Sequence, residues 1–496
     1  MSQVELDPKR WWALALVGAA FFMTVLDVSI VNVALPTIQT KLGFSDANLQ
    51  WVITAYAITY GGLLLLGGRA ADLIGRRAVF LGGLTVFTVA SLLAGFAQDD
   101  VMLIIVRGLQ GAGAAIVAPA ALAIVGVTFQ EGAERNKALG IFGALAGGGA
   151  AAGVLLGGVL TSYLGWEWIF FVNVPVGVLV FLLTPRYVRE SRLEVAHRSF
   201  DPLGAFAITT SLILLVYAIS EAPTKGWGSG QTIGCLVGFG VLLVAFLVIE
   251  SRGRQPLMRL GIFRVGTVAG ANVVGFLLGA SLFSMFFLLT LYMQQVLRYS
   301  AIKAGLAFLA TAGTAVLAAG AAQALVSRVG VRAVTATGMV LMAAGLFWFT
   351  QLPVNGSFVS DLFGGYLLVG IGIGFAFVPV SIAALGGVSP DETGLASGLI
   401  NTSQQVGGAI GVAVVATIFA QRASNVLADL HAHVTTSFQP ADLAFAFTSG
   451  FKLAFWVVAF TAVAGAVAAI VMIRGPVLAP DEEARMESSP VGTASG

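Results

Sequence analysis

Long apolar runs alternate with short polar breaks along almost the whole chain. Crossing a ~30 Å hydrocarbon layer as a helix takes about 20 apolar residues. Runs of that kind fall near residues 11–33, 50–66, 78–97, 101–125, 138–161 and 168–185. A charged segment, RYVRESRLEVAHRSFDP (186–202), precedes two more at 203–220 and 231–249. A second, ESRGRQPLMRLGIFR (250–264), precedes a last set at 266–293, 304–326, 333–350, 362–386, 394–420 and 450–473. The pattern predicts an all-α polytopic membrane protein with 14 transmembrane helices in a 6 + 2 + 6 order. The domains expected are a polar N-terminus (1–10), a six-helix bundle (11–185), a two-helix insert with its linkers (186–264), a second six-helix bundle (265–473) and a disordered polar tail (474–496).

Sidedness follows from the break GGRAADLIGRR (67–77), which joins two spanning runs and carries Arg69, Arg76 and Arg77. By the positive-inside rule that face is cytoplasmic. Alternating sides from there puts 19 of the 26 Lys and Arg residues inside and 6 outside, with Arg107 left within a span. Both termini are therefore expected in the cytoplasm, with the chain in the cytoplasmic (inner) membrane. The stretch 421–449, with His431 and His433, reads as the longest external loop.

Composition narrows the function. Hydrophobic residues make up 58% and charged residues 10% of the chain, against roughly 25% charged in soluble domains. The net charge of +2 is spread among loops, which gives no nucleic acid a basic face to bind. No lysine is followed by Ser or Thr, so there is no P-loop and no ATP site. The chain also lacks GxSxG, HExxH and paired carboxylates within a span, so no enzyme activity is expected. Cys235 is the only cysteine, and His431 and His433, two apart, share no helical face, so no metal or cofactor is expected. Uphill transport would have to draw on an ion gradient, with protons as the coupling ion. The expected partners are a small amphipathic substrate and the lipid bilayer, and nothing demands more than a monomer.

The two sets of six resemble one another. DLIGRR (72–77) is echoed by SRVGVR (327–332), with Gly75 matching Gly330 and Arg77 matching Arg332. Pro119 and Pro379 recur in the fourth helices, as expected of a transporter built from repeats.

Charges within the spans are few and expensive, so they mark candidate sites. Asp27 is the only acid well inside an apolar window, about 7 Å beyond the midplane of its helix. Arg107, the only deep cation, falls about 6 Å beyond the midplane on the same side. Burial opposes the charge on Asp27 while a nearby arginine supports it, the balance needed by a group that takes up and releases protons. Gln110 lies one turn from Arg107. Gly149, Gly153, Gly157 and Gly158 form a small-residue stripe suited to close helix contact. Candidate cavity residues are Asn32, Tyr56, Gln110, Phe283, Phe287, Tyr292, Gln294, Asn401, Gln404 and Gln405.

These stretches resemble the major facilitator superfamily, and specifically its fourteen-span drug:proton antiporters. GGRAADLIGRR is similar to that superfamily's motif A, with Leu73 where a basic residue is common. LDVSIVNVALP (26–36) resembles the first-helix motif, RGLQGAGAA (107–115) motif B, and WEWIFFVNVPVG (166–177) the sixth-helix signature, with Glu167 in place of a basic residue. The resemblance implies the major facilitator fold, two bundles rocking about a central cavity. It implies proton coupling at Asp27 and Arg107, gating by Gly68, Asp72, Gly75, Arg76 and Arg77, and a hinge in the fifth helix at Gly149, Gly153, Gly157 and Gly158. In the antiporter motif C, Val154 stands where proline is expected. The expected function is proton-coupled export of amphipathic drugs or toxic metabolites. A proton symporter, or an exporter of one endogenous metabolite or lipid, is the alternative on the same scaffold. A channel or scramblase is disfavoured by the lone deep acid and lone deep arginine.

Overall fold

The computed structural model describes residues 9–45, 48–129, 133–191, 202–252, 260–265, 267–388, 393–433 and 440–473, and all regular structure among them is helical. A helix satisfies its own backbone polar groups, as a chain in hydrocarbon requires. The first set comprises α1 (Arg10–Leu42), α2 (Trp51–Ile74), α3 (Arg76–Gly95), α4 (Asp100–Thr128) and α5 (Ala133–Tyr163). Its sixth member is broken at Val172 into α6 (Trp168–Phe171) and α7 (Asn173–Tyr187). The insert supplies α8 (Pro202–Lys225) and α9 (Gly230–Arg252). The second set comprises α10 (Val268–Leu291), α11 (Ala301–Val329), α12 (Val331–Phe349), α13 (Phe363–Leu385), α14 (Thr393–His433) and α15 (Pro440–Met472).

Among the described residues, eleven helical segments are long and apolar enough to cross a membrane. The windows expected at 50–66, 138–161 and 203–220 sit on α2, α5 and α8, where the apolar stretches among the described residues are Trp51–Leu64, Ala152–Tyr163 and Leu203–Ile219. The stretch 421–449 differs from expectation: α14 runs on to His433 and α15 begins at Pro440, so most of the expected external loop is helix. Nothing between Gly411 and Gly450 breaks a helix except Pro440, and proline at a first helical position is favoured. The N-terminus before residue 9 and the tail from 474, expected to be disordered, lie outside the described residues.

The repeat is explicit in the packing. α1 lies along α5, α2 along α4 and α3 along α4, and in the second set α10 lies along α14, α11 along α13 and α12 along α13. The α2–α3 turn is a single glycine, Gly75, with φ 138°, and the α11–α12 turn is Gly330, with φ 83°. Both values lie where a side chain is strained. Gly113 of α4 meets Gly83 of α3, and Gly372 of α13 meets Gly338 of α12, so close that an added Cβ would come within 3.0 Å and 2.7 Å of the opposite carbonyl oxygen.

The halves join through α2 against α14 and α5 against α11, contacts that the repeat exchanges with one another. Burial is asymmetric along the bundle. At the end carrying the α2–α3 turn (the near end), the first half has its own core around Val17, Phe80 and Val117. At the far end, residues of the first half such as Val33, Ile38 and Phe170 share one core with Leu288, Tyr292 and Phe308. α8 bridges the seam, packing on both α2 and α14, while α9 packs on α8.

Candidate functional site

Asp27 and Arg107 meet in the interior of the first half. Arg107 Nη1 lies 2.6 Å from Asp27 Oδ2, and the residues are 1% and 0% exposed. The other carboxylate oxygen, Oδ1, accepts from Gln110 Nε2 at 2.7 Å and Asn173 Nδ2 at 3.0 Å. Arg107 also donates to Gln110 Oε1 at 2.6 Å and, through Nε, to the Val52 carbonyl at 2.9 Å. Gln110 Nε2 reaches Ser91 Oγ at 2.9 Å. The Tyr56 ring covers the guanidinium at 4.5 Å and Phe170 flanks it at 5.8 Å. Five helices thus converge: α1 gives the acid, α4 the arginine and Gln110, α2 a carbonyl and Tyr56, α3 Ser91, and α7 Asn173.

Removing two ions from water costs several kcal/mol each, and only close pairing with satisfied lone pairs repays it. The network supplies both.

A cavity of about 250 Å³ lies between the halves, lined from α1, α2, α5, α10, α11 and α14. Thr24, Ser29, Asn32, Tyr56, Tyr60 and Gln405 bring polar groups to it, set among Val25, Val28 and Val33 of α1, while Val154, Leu282, Phe283, Phe286, Phe308 and Leu309 are apolar. Tyr56 is common to the cavity and the ion pair, and it separates them. Of the candidate cavity residues, Asn32, Tyr56, Phe283 and Gln405 line this space. The others are placed elsewhere. Gln110 belongs to the Asp27 network. Phe287 is fully buried in the core, and Tyr292 donates its hydroxyl to the Pro353 carbonyl at 2.6 Å. Gln404 packs its backbone on Gly279 of α10, and Asn401 is exposed, donating to the Ser397 carbonyl of its own helix. Gln294 donates to the Val33 carbonyl of α1 at 2.8 Å, and its neighbour Gln295 reaches Gln39 at 2.8 Å. Both glutamines sit on a π-helical turn, Tyr292–Val296, that ends α10, so this turn closes the far side of the cavity onto α1.

At the near end the α2–α3 turn is held by Glu190, beyond α7. Its carboxylate accepts the backbone amides of Arg77 and Ala78, both at 3.0 Å, and lies 3.7 Å from Arg77 Nε. An acid at a helix N-terminus satisfies amides that have no partner within the helix. Arg77 Nη1 donates to the Val188 carbonyl and the Arg76 amide to the Ser191 carbonyl. Gly68 faces Pro119 of α4; the Asp72 side chain lies outside the described residues. On α5, Gly149, Gly153 and Gly157 lie against α1 at Phe22, Leu26 and Ile30, whereas Gly158 meets Ala301 and Ile302 of α11. The stripe therefore serves one contact within the first half and one between halves.

Sequence reasoning did not single out Asn173 or Glu190. Asn173 lies in the quoted sixth-helix stretch as an amide inside an apolar window, which was signal enough. Glu190 follows the same span on the side of the α2–α3 turn, where an acid matches Arg76 and Arg77. Among the described residues no group of three or more His, Cys, Asp or Glu side chains is placed to hold a metal ion.

An all-helical membrane protein made of two repeated bundles, with a cavity on their seam and a buried ion pair beside it, has the build of a secondary transporter. The chain belongs to the Major Facilitator Superfamily, whose model matches residues 17–412. It is 42% identical to the puromycin resistance protein pur8 of Streptomyces alboniger over 85% of this chain and 84% of that one. It is 40% identical to the cephamycin export protein CmcT of Amycolatopsis lactamdurans (86% and 88%). The tetracenomycin C resistance and export protein of Streptomyces glaucescens is 32% identical (86% and 78%). Among solved structures, a bacterial homologue of the human lysosomal transporter Spinster, inward-facing and unoccupied, superposes with a TM-score of 0.67 at 16% identity, covering 94% of this chain and 98% of that one.

Proposed function

We propose that this chain is a proton-coupled antiporter that exports amphipathic compounds by alternating access. It belongs in this reading to the fourteen-span drug:proton antiporters, ordered 6 + 2 + 6, with bundles at 11–185 and 265–473 and the insert 186–264 between them. It sits as a monomer in the cytoplasmic membrane with both termini inside, needing no ATP and no cofactor. In this reading the near end is the cytoplasmic end, and the shared core at the far end supports a cavity that loads from the cytoplasmic side.

One observation carries the reading: the Asp27–Arg107 pair is sealed within the first half yet touches the cavity wall through Tyr56. A proton arriving on Asp27 cancels the attraction to Arg107 and leaves the guanidinium to its remaining acceptors, Gln110 and the Val52 carbonyl. The helices then rearrange around a changed network, and the two seams, α2 on α14 and α5 on α11, are the surfaces on which the halves tilt. Export of relatives' antibiotics supports the outward direction.

The test is transport in proteoliposomes under an imposed pH difference, for the wild type and Asp27→Asn. The reading expects uphill dye or antibiotic movement in exchange for protons in the wild type and none in the variant. Unchanged pH-driven transport by Asp27→Asn refutes it, and movement of substrate in the same direction as protons establishes the symport alternative.

A further inference from the structure

We propose that a second cavity, at the far end of the bundle, binds amphipathic organic anions, with Arg298 holding the acidic group and Leu443 and Phe447 the apolar body.

This cavity, about 450 Å³, lies where the C-terminal end of α1, the π-helical turn after α10 and the first turns of α15 come together. Gln39 and Gln295, bonded to each other at 2.8 Å, line it, whereas Val33, whose carbonyl accepts from Gln294, lines the central cavity. The two cavities therefore lie on opposite sides of one closure. Leu443, Ala444 and Phe447 of α15 give the outer cavity an apolar side, and Phe447 is braced on Phe419 with ring centroids 5.6 Å apart.

Arg298 is the one charged residue in the lining, and it is exposed. Among the described residues its guanidinium belongs to no ion pair or hydrogen bond. Asp442, next to Leu443 in the chain, has a partner of its own and is not in the lining. Arg298 also stands where the fold favours glycine. The Tyr299 amide reaches back to the Met293 carbonyl at 2.9 Å, a helix ending that needs a left-handed residue at 298. Arg298 takes φ 56°, and among the described residues it is the only non-glycine with positive φ. Backbone strain of this kind gathers at functional positions, and glycine would close the helix without it. A guanidinium lacking a counter-ion, set beside half-buried apolar side chains, fits a guest that carries a sulfonate or carboxylate on an aromatic body.

Three naphthalenes test this: naphthalene-2-sulfonate, the neutral 2-(methylsulfonyl)naphthalene and the cationic 2-(trimethylammoniomethyl)naphthalene. Binding of each radiolabelled probe to the full-length protein in phosphatidylcholine nanodiscs is measured by equilibrium dialysis, with empty discs as the blank. The sulfonate should bind about 2- to 5-fold more tightly than the sulfone, the range of one exposed ion pair. The cation should bind more weakly than both. Arg298→Gln should bring sulfonate and sulfone to the same affinity, and Arg298→Lys should keep part of the difference. Arg298→Gly removes the same charge but relieves the backbone, so it should lose the preference while withstanding heat at least as well as the wild type. No saturable binding, a sulfone or cation bound as tightly as the sulfonate, or a preference that survives Arg298→Gln overturns the proposal. So does a heat-labile Arg298→Gly, because the side chain would then serve the fold. The discs hold no pH difference, so these outcomes stand apart from the test of antiport.

Discussion

Asp27→Asn is nearly isosteric, and its effect follows from counting donors. Three converge on the carboxylate: Arg107 Nη1 on Oδ2, and the amides of Gln110 and Asn173 on Oδ1. An asparagine has one oxygen. With that oxygen toward Arg107, its NH₂ faces two amide donors; turned the other way, the NH₂ faces the guanidinium. Gln110 cannot relieve this by flipping without losing the bond its Oε1 accepts from Arg107 at 2.6 Å. Each buried donor left unsatisfied costs about 1–3 kcal/mol, and an uncompensated buried charge costs about 3–5 kcal/mol. Arg107→Met is gentler, because a carboxylate can shed its charge by taking a proton whereas a guanidinium cannot. The double variant, Asp27→Asn with Arg107→Met, removes the stranded charge and should recover part of the loss. The expected order of thermal stability in detergent, read by size-exclusion recovery after heating, is wild type, then double variant and Arg107→Met, then Asp27→Asn. Neither single variant should transport uphill. An Asp27→Asn protein as heat-resistant as the wild type would refute the reasoning, because the pair would then not be the buried charge network the distances describe.

Two further outcomes follow from packing. At Gly153 an added Cβ meets Ser29 Oγ and comes within 2.6 Å of the Leu26 carbonyl oxygen, so Gly153→Leu should part α1 from α5 at a cost of about 1–3 kcal/mol; an unchanged melting temperature would contradict that contact. Replacing Gln294 and Gln295 together by alanine removes the far-side bonds to α1, worth about 0.5–1.5 kcal/mol each. Spin labels on Thr40→Cys and Ser300→Cys, in a Cys235→Ser background, should then show a larger long-distance population by pulsed dipolar spectroscopy, and an unaltered distribution counts against the closure.

The ion pair was legible in the sequence because a charge in an apolar window stands out, and counting residues from each helix end gave Asp27 and Arg107 similar depths. Cavity-facing residues were harder to read. Phe283 and Phe287 are four apart, yet the first lines the cavity and the second is buried in the core. Gln404 and Gln405 are adjacent, and only the second reaches the cavity. A helix that is apolar on every side carries no periodic signal for which face meets lipid, protein or substrate. Helix ends escaped for a related reason. Hydropathy reports where hydrocarbon stops, whereas α14 continues to His433 through a stretch with no Gly or Pro whose Gln421, Arg422, Ala423, Leu427, Ala428, Leu430 and Ala432 are good helix formers.

The insert helix α8 is in contact with both bundles, so any tilt between them must shear one of its two faces. Toward α14 it is tied, with Thr417 donating to the Ile219 carbonyl at 3.3 Å. Toward α2 it meets the bare backbone of Gly62, where an added Cβ would lie 3.3 Å from Thr209 Cα. Under the proposed tilt these two contacts cannot both persist, so the insert acts as a strut across the seam whose fit over Gly62 or bond to α14 has to yield.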